Sequence, residues 1–520
     1  MALEERKPLD TAVAGLLFIT AIGFGVRMMA AKMIGLGDSE ALYACYAKFP
    51  QPAYLDHPGL VGVFASALGG GKIPSPQAAH VATAALASMV PWLVVIVARS
   101  TGATARAAAI AGIIVAATPE IAVGLFGMTP DLLLAFTWLA FVGVAALALE
   151  ADAKSSRSAV LFAIAGLIAG VATSAKVTGI FLVPSLLVAI DSERRKTPWP
   201  WAGAAISVVP LVPIVQFEAT HGWAMLRHRF VDTQHSAGMS FRNLGALLGG
   251  QLLYVSPVIL VLAGIAARDL VRHRNDDAIS RLLFWTFALP LPPLVLLCLW
   301  SRVAEPHWIA PPLLALPIHA ARRASIVRGS APDTPADPRL ATLRSASLEM
   351  SRKLILAGAY TGLALAGAVY AWVLSPSLLR YAPKSYDAKV DIANELFGWP
   401  RAAQHVVETA QEADSTLGMH LDTWVVGPSW MVCAQLQAAM PDMHVGCATE
   451  ERTDFDDWAP RTKWEHADVI LFVTDDRMPV EPEKLIPAFH VERTERITII
   501  RAGRVVRTFR VSFLEKRAAG

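Results

Sequence analysis

The chain has 520 residues, 54% of them hydrophobic and only 17% charged, with a mean hydropathy of +0.45. Soluble domains carry about 25% charged residues, so the composition excludes an ordinary soluble protein and points to the membrane. The net charge of +3 is too small to suggest a nucleic-acid partner. Glu4, Glu5, Arg6 and Lys7 precede the first apolar run, and no small-residue cleavage site closes it. That run therefore reads as an uncleaved first transmembrane helix, not a secretory signal. Apolar runs long enough, or nearly so, to cross a bilayer recur at 11–33, 78–98, 107–126, 131–149, 159–175, 177–190, 200–217, 245–267, 281–300, 308–321 and 353–375. The expectation is a multi-pass α-helical membrane protein with about 11 transmembrane helices. The stretches flanking Lys176 are short enough to be a hairpin or a single span.

Lys and Arg gather in alternate loops. One set holds Arg6/Lys7, Arg99/Arg106, Lys154/Arg157, Arg194/Arg195/Lys196, Arg268/Arg272/Arg274/Arg281 and the segment from Arg322 to Lys353. The positive-inside rule makes that side cytoplasmic. The loops at 34–77, 127–130, 218–244 and 301–307 then face outward, as does the tail after about 376. The segment 322–352, rich in Ala, Ser, Arg and Pro, reads as a flexible cytoplasmic linker.

Two domains follow from the composition: a transmembrane domain over 1–376, with its outer loop at 34–77, and a second domain over 377–520. In the tail the long apolar runs stop and strand-like runs appear at 423–426, 469–473, 497–500 and 505–509. Helical patterns lie between them at 405–413 and 429–439, predicting a small C-terminal α/β domain outside the membrane. Arg501-Ala502-Gly503-Arg504 reads as a hairpin turn. The four cysteines, Cys45, Cys298, Cys433 and Cys447, have no metal-type spacing. Cys433 and Cys447 can pair if the tail lies in an oxidising compartment.

Charge at a membrane surface is expensive and needs a reason. The first outer loop carries Asp38 and Glu40 with Tyr43, then Tyr54, Asp56 and His57, with Pro58 holding His57 extended. A carboxylate next to a histidine, as in Asp56-His57, can ligate a divalent metal ion, orient a hydroxyl or accept a proton; a helix cap at Asp38 and a turn at Asp56-His57-Pro58 are the structural alternatives. Thr129-Pro130-Asp131 opens a span, where Asp131 either satisfies the helix N-terminus or faces an outward cavity. Glu120 lies inside the preceding span and must face protein or water. Lys176 either snorkels or faces a phosphate. The 218–244 loop is basic for an outer loop, with Arg227 among its cations and Trp223 and Phe230 between them. It reads as an anion site or as an interfacial helix. In the short loop from Arg302 to Trp308, Arg302 and Glu305 can pair with each other, or Arg302 and His307 can contact a phosphate.

Taken in order, these motifs resemble a known family. Glu40-Ala41 with Tyr43, Tyr54 with Asp56-His57-Pro58, Thr129-Pro130-Asp131, Lys176, His221-Gly222-Trp223, Glu305-Pro306-His307-Trp308 and Asn394-Glu395 with Gly398-Trp399-Pro400 are similar to the bacterial branch of the dolichyl-phosphate-mannose-protein mannosyltransferases. That is glycosyltransferase family 39, to which the lipid A aminoarabinose transferase is related. The resemblance implies a GT-C membrane fold and a polyprenyl-phosphate sugar donor. It also implies inverting transfer to a glycan, lipid or protein acceptor on the periplasmic face of the bacterial inner membrane. An acidic residue of the first outer loop, Asp38 or Glu40, would be the base. Asp56, His57, Lys176, Arg227, Arg302 and His307 would hold the donor phosphate, and Tyr43, Tyr54, Glu120, Asp131 and Glu305 would line the cavity. Two departures stand out. Counting back from Asp56 puts Ser39 where the family has Asp, and Gly59 stands where a second Pro is common. The other readings of the same span pattern are a lipid or solute transporter (a flippase) and a binding protein whose tail recruits a partner.

Overall fold

The computed structural model describes residues 10–235, 237–301, 303–330, 338–417 and 422–517. Among them, seven helices are long and apolar enough to cross a membrane: Thr11–Met33, Pro76–Ser100, Pro130–Glu150, Ser156–Ala175, Trp199–Thr220, Ala278–Trp300 and Glu349–Leu374. Two bent pairs raise the number to nine if each is one span. They are Ala105–Ala117 with Pro119–Phe126, bent by 73°, and Phe241–Tyr254 with Pro257–Arg272, bent by 100°. The expected eleven is therefore not reached. At 177–190 a 3₁₀ turn, Val177–Phe181, precedes a helix of only eight residues, Leu182–Ala189. At 308–321 the 3₁₀ turn Pro306–Ile309 and a four-residue helix, Ala310–Leu313, which contains Pro311 and Pro312, precede the helix Ala315–Ser330; proline lacks the N–H that a continuing helix needs.

The loops sort onto two polar layers. On one, Arg194 donates to the carbonyls of Leu149 and Ala151 at 2.6 and 2.7 Å, and Arg322 to that of Thr101 at 2.8 Å. These guanidinium groups satisfy carbonyls at helix C-termini, where cations are favoured. On the other lie Asp56, Asp131, Lys176, Arg229 and His307. The first layer holds the Lys/Arg-rich loops and the second the loops expected outside. Between them, helices pack through small residues, as membrane helices do. A Cβ at Gly166 would stand 1.9 Å from the Gly203 carbonyl oxygen. Arg27, buried in the first helix, donates to Ser88 Oγ at 2.8 Å and to the Ile121 carbonyl at 2.9 Å, beside the break at Thr118-Pro119.

The tail forms a mixed five-stranded sheet of β1 (Thr423–Gly427), β2 (His444–Cys447), β3 (Val469–Asp475), β4 (Phe489–Arg501) and β5 (Arg504–Lys516), in the order β2-β1-β3-β5-β4. The first three strands are parallel, and β5 and β4 are antiparallel. The turn at 501–504 is present, with Ala502 and Gly503 at φ 50° and 79°, as a two-residue hairpin loop requires. The sequence pattern did not reveal β2: four residues containing a glycine carry too little alternation. Helices Trp399–Leu417 and Trp430–Ala439 flank the sheet, and Cys433 is bonded to Cys447.

The first outer loop is built into this domain. Leu36, Ala41, Leu42, Tyr43, Tyr46, Tyr54 and Val61 share one apolar core with Val425, Val432, Leu436, Leu471 and Phe509. The loop that bears Asp56 is therefore held from above by the tail and from below by the helices.

Candidate active site

Helix ends place two of the charged groups of the outer layer, Lys176 and Asp131. Lys176 is the residue at which helix Ser156–Ala175 stops, extended at φ −152°. Asp131 stands in the first turn of Pro130–Glu150, whose N-cap Thr129 makes no side-chain bond. The two ends meet: Lys176 Nζ donates to Asp131 Oδ1 at 2.7 Å, and Lys176 is buried. His307, in the turn Pro306–Ile309, brings Nε2 to 3.7 Å from Asp131 Oδ2 and Nδ1 to 3.1 Å from Glu305. Burial opposes a charge on His307, but the two carboxylates beside it outweigh burial and raise its pKa to about 9. It is a cation at neutral pH.

The basic segment is aimed by a tight turn. Gly222 and Trp223 both take positive φ, 68° and 58°. The buried Glu218 carboxylate then accepts the Met225 and Leu226 amides at the start of helix Ala224–Phe230. That orientation turns Arg229 towards the first outer loop. Its Nη2 lies 3.0 Å from the Asp56 carbonyl and 3.6 Å from the Asp56 carboxylate, with His228 at 3.8 Å. Lys176 and Arg229 both stack on the Trp308 ring, 5.6 and 5.2 Å from its centroid, within cation–π range. Arg227, two residues from Arg229, falls on another side of the helix and is exposed. Arg302 lies outside the described residues.

His57 is buried with its ring edge-on to Tyr43 at 5.6 Å. Burial, and then the nearby Arg229 and Lys176, hold its pKa well below the usual value. Burial and these neighbours thus disfavour a charge on His57. Burial and the surrounding carboxylates Asp56, Asp131 and Glu305 raise the Tyr43 phenol, which places Tyr43 at the same cluster. Glu120 is buried within electrostatic reach of His307, Asp131 and Lys176. Tyr54 lies behind the loop, its hydroxyl accepting from the Gln51 amide at 2.9 Å. Among the described residues no three His, Cys, Asp or Glu side chains are grouped to hold a metal ion. Asp56 meets Arg229, a cation that competes with a metal for its oxygens, and lies 3.8 Å from His228.

Asp38 and Glu40 sit differently. Glu40 Oε1 accepts from the Met128 amide at 2.6 Å, Oε2 from the Gly37 amide at 2.9 Å, and both oxygens face His80 Nε2 at 3.1 and 3.2 Å. Burial works against its charge, but His80 and the two amides prevail and its pKa is lowered. Asp38 Oδ1 accepts from Gln435 at 3.0 Å, and Oδ2 from Arg477 at 2.9 Å. Arg477 also binds Asp475, which in turn pairs with Arg507. The Asp38 and Glu40 side chains are only 7% and 11% exposed, against 31% for Asp56. The acidic pair therefore does not stand open beside the cations, as the sequence reading expected. It anchors the end of the first span to the tail and to Met128.

The architecture defines a class: a multi-pass helical membrane protein of GT-C fold with a small sheet domain. The structure is similar to ArnT from Cupriavidus metallidurans bound to undecaprenyl phosphate, with a TM-score of 0.60 and 15% identity over 96% of this chain and 98% of that chain. The same protein in the apo state gives 0.60, at 16% identity over 97% and 98%. The archaeal oligosaccharyltransferase AglB from Archaeoglobus fulgidus, in complex with an inhibitory peptide and a dolichol-phosphate, gives 0.50 at 12% identity over 89% and 69%. The family model described as dolichyl-phosphate-mannose-protein mannosyltransferase matches residues 66–217. The resemblance read from the motifs is thereby borne out, over a segment that includes Asp131 and Lys176. No curated protein matches the chain in sequence.

Proposed function

We propose that the protein is a membrane glycosyltransferase that moves a sugar from a polyprenyl-phosphate carrier to an acceptor hydroxyl at the periplasmic face of a bacterial inner membrane. One observation carries the reading: Lys176, Arg229 and His307 converge, from three separate segments, on one outer-layer cluster with a partly open carboxylate, Asp56. A phosphate diester ending in an isoprenoid has the charge to match those cations. The fold is one that ArnT also has. The disulfide Cys433–Cys447 suits an oxidising compartment for the tail, and the Lys/Arg-rich loops suit the opposite side.

In the proposed reaction Asp56 takes the proton of the acceptor hydroxyl. The acceptor oxygen attacks the anomeric carbon, inverting it. The bond between that carbon and the phosphate oxygen breaks, and the polyprenyl phosphate departs with the electron pair. Lys176, His307 and Arg229 balance the charge that develops on it. Asp131 keeps Lys176 and His307 aimed between turnovers. Asp38 and Glu40, whose oxygens are filled by protein donors, hold the loop and are not the base.

The test is transfer of a labelled sugar from a polyprenyl-phosphate donor by the purified full chain. Wild type should form a glycoside, and Asp56→Asn and Lys176→Ala should lose on the order of 10²-fold or more in rate. Movement of the lipid across vesicles without any glycoside would replace this reading with the flippase reading.

A further inference from the structure

The C-terminal domain reaches back to the loop that carries Asp56 through a single side chain. Asp454 sits at the start of the short helix Phe455–Trp458, where an aspartate ordinarily accepts an amide of its own helix. Here it makes no such bond. Its carboxylate turns away instead: Oδ1 accepts from the Leu55 amide at 2.9 Å, and Oδ2 from the Tyr46 hydroxyl at 3.2 Å. Asp454 is 6% exposed. A local rule is broken to satisfy a partner 399 residues earlier in the chain, which is the pattern expected at a functional position.

The contact is embedded in rings. Tyr46 stacks on Tyr54 with centroids 3.4 Å apart, and Trp458 meets both edge-on at 5.8 and 6.3 Å. Trp458 also stacks on Phe49 at 4.6 Å. The Tyr54 amide donates to the His57 carbonyl at 2.9 Å, and the Gly59 amide to the Pro52 carbonyl at 2.8 Å, closing the segment 52–59 on itself. Leu55, the residue gripped by Asp454, directly precedes Asp56. On its other flank Asp56 is met by Arg229, from the membrane domain. The backbone at Leu55 and Asp56 is therefore held between a tail carboxylate and a membrane-domain guanidinium, which also lies 3.6 Å from the Asp56 carboxylate. Burial, with Asp56 and Asp457 nearby, raises Asp454 to about 7, so its grip on the Leu55 amide is strongest once it has lost its proton.

We propose that Asp454 is a positioning residue for the transfer reaction: it acts through Leu55 to hold Asp56 at its working place, and the C-terminal domain is part of the catalytic unit. This rests on the reading of Asp56 given above. Asp454 touches no substrate.

The experiment compares wild type with Asp454→Ala, Asp454→Asn, Asp56→Asn and the double variant Asp454→Ala/Asp56→Asn, in labelled-sugar transfer by the full chain. Asp454→Ala should lower kcat on the order of 10²-fold, the loss expected when a reacting group is misplaced, with the donor KM little changed. Asp454→Asn keeps an acceptor for the Leu55 amide and should retain activity to within about fivefold. Adding Asp454→Ala to Asp56→Asn should cost little more, because both act through one group. If Asp454→Ala fails to fold, Asp454→Asn carries the test: its activity should fall less with decreasing pH than that of wild type. Full activity in Asp454→Ala overturns the proposal, as do multiplicative losses in the double variant or a pH profile of Asp454→Asn identical to wild type. Absence of any transfer by wild type overturns the reading of the reaction instead.

Discussion

Replacing Glu40 with glutamine separates a scaffold from a base. The wild-type carboxylate accepts two backbone amides, from Gly37 and Met128, and faces the buried His80. An amide retains one oxygen and turns an NH₂ against one of those donors, leaving a buried N–H unpaired. An unsatisfied buried donor costs about 1–3 kcal/mol, and exchanging a charged for a neutral acceptor at His80 about 1 kcal/mol more, so the loss is about 2–4 kcal/mol. Thermal unfolding of the purified chain should show a melting point lower by several degrees. Transfer measured well below that melting point should stay within about tenfold of wild type, since no bond to substrate is lost. Asp56→Asn should behave oppositely, melting close to wild type while losing on the order of 10²-fold or more in rate. The scaffold argument is refuted if Glu40→Gln melts with wild type and abolishes transfer.

Other consequences are equally direct. The His307 pKa is raised to about 9 by Asp131 and Glu305 despite burial, so the stability its charge adds is fully present below about pH 6.5 and is lost as pH rises through about 9. Affinity for a polyprenyl phosphate, measured by titration at constant ionic strength, should weaken over the same rise, and His307→Gln should remove that dependence. Arg477→Met leaves Asp38 and Asp475 facing each other, with side chains only 7% and 0% exposed. Breaking such a buried network costs about 3–5 kcal/mol, seen as faster limited proteolysis between the membrane body and the tail. At Gly59 a Cβ would stand 2.6 Å from the carbonyl oxygens of Gln51 and Pro52. Gly59→Ala should therefore open the 52–59 loop, lowering kcat on the order of tenfold or more and lowering the melting point as well.

The spans, the two-sided distribution of Lys and Arg and the alternation of strand and helix in the tail were legible because hydropathy and period are local properties. Lys176, Asp131, Asp56 and His307 were legible too, since charge at the ends of apolar runs has few explanations. Choosing Arg227 over Arg229 was not a local decision: the positive-φ turn at Gly222 and Trp223 sets which face of the helix looks at Asp56. Glu40 is acidic and near a membrane surface, which suits chemistry. Its position three residues after Gly37, at the start of a helix, suits a cap as well. Arg477, Gln435 and Asp454 lay beyond reach, because each meets a partner some four hundred residues away in sequence. Gly59 looked like a departure from a family pattern, and the close approach of two carbonyls explains the need for it.

In the proposed function, cations from separate segments grip an isoprenoid phosphate at one outer site. Equilibrium binding of a polyprenyl phosphate to the purified chain, compared between wild type, Lys176→Met and Arg229→Met, tests it most directly. Wild type should bind saturably and one-to-one, and binding should weaken about tenfold or more in each variant. Binding of equal strength in all three, or no binding by wild type, would contradict it.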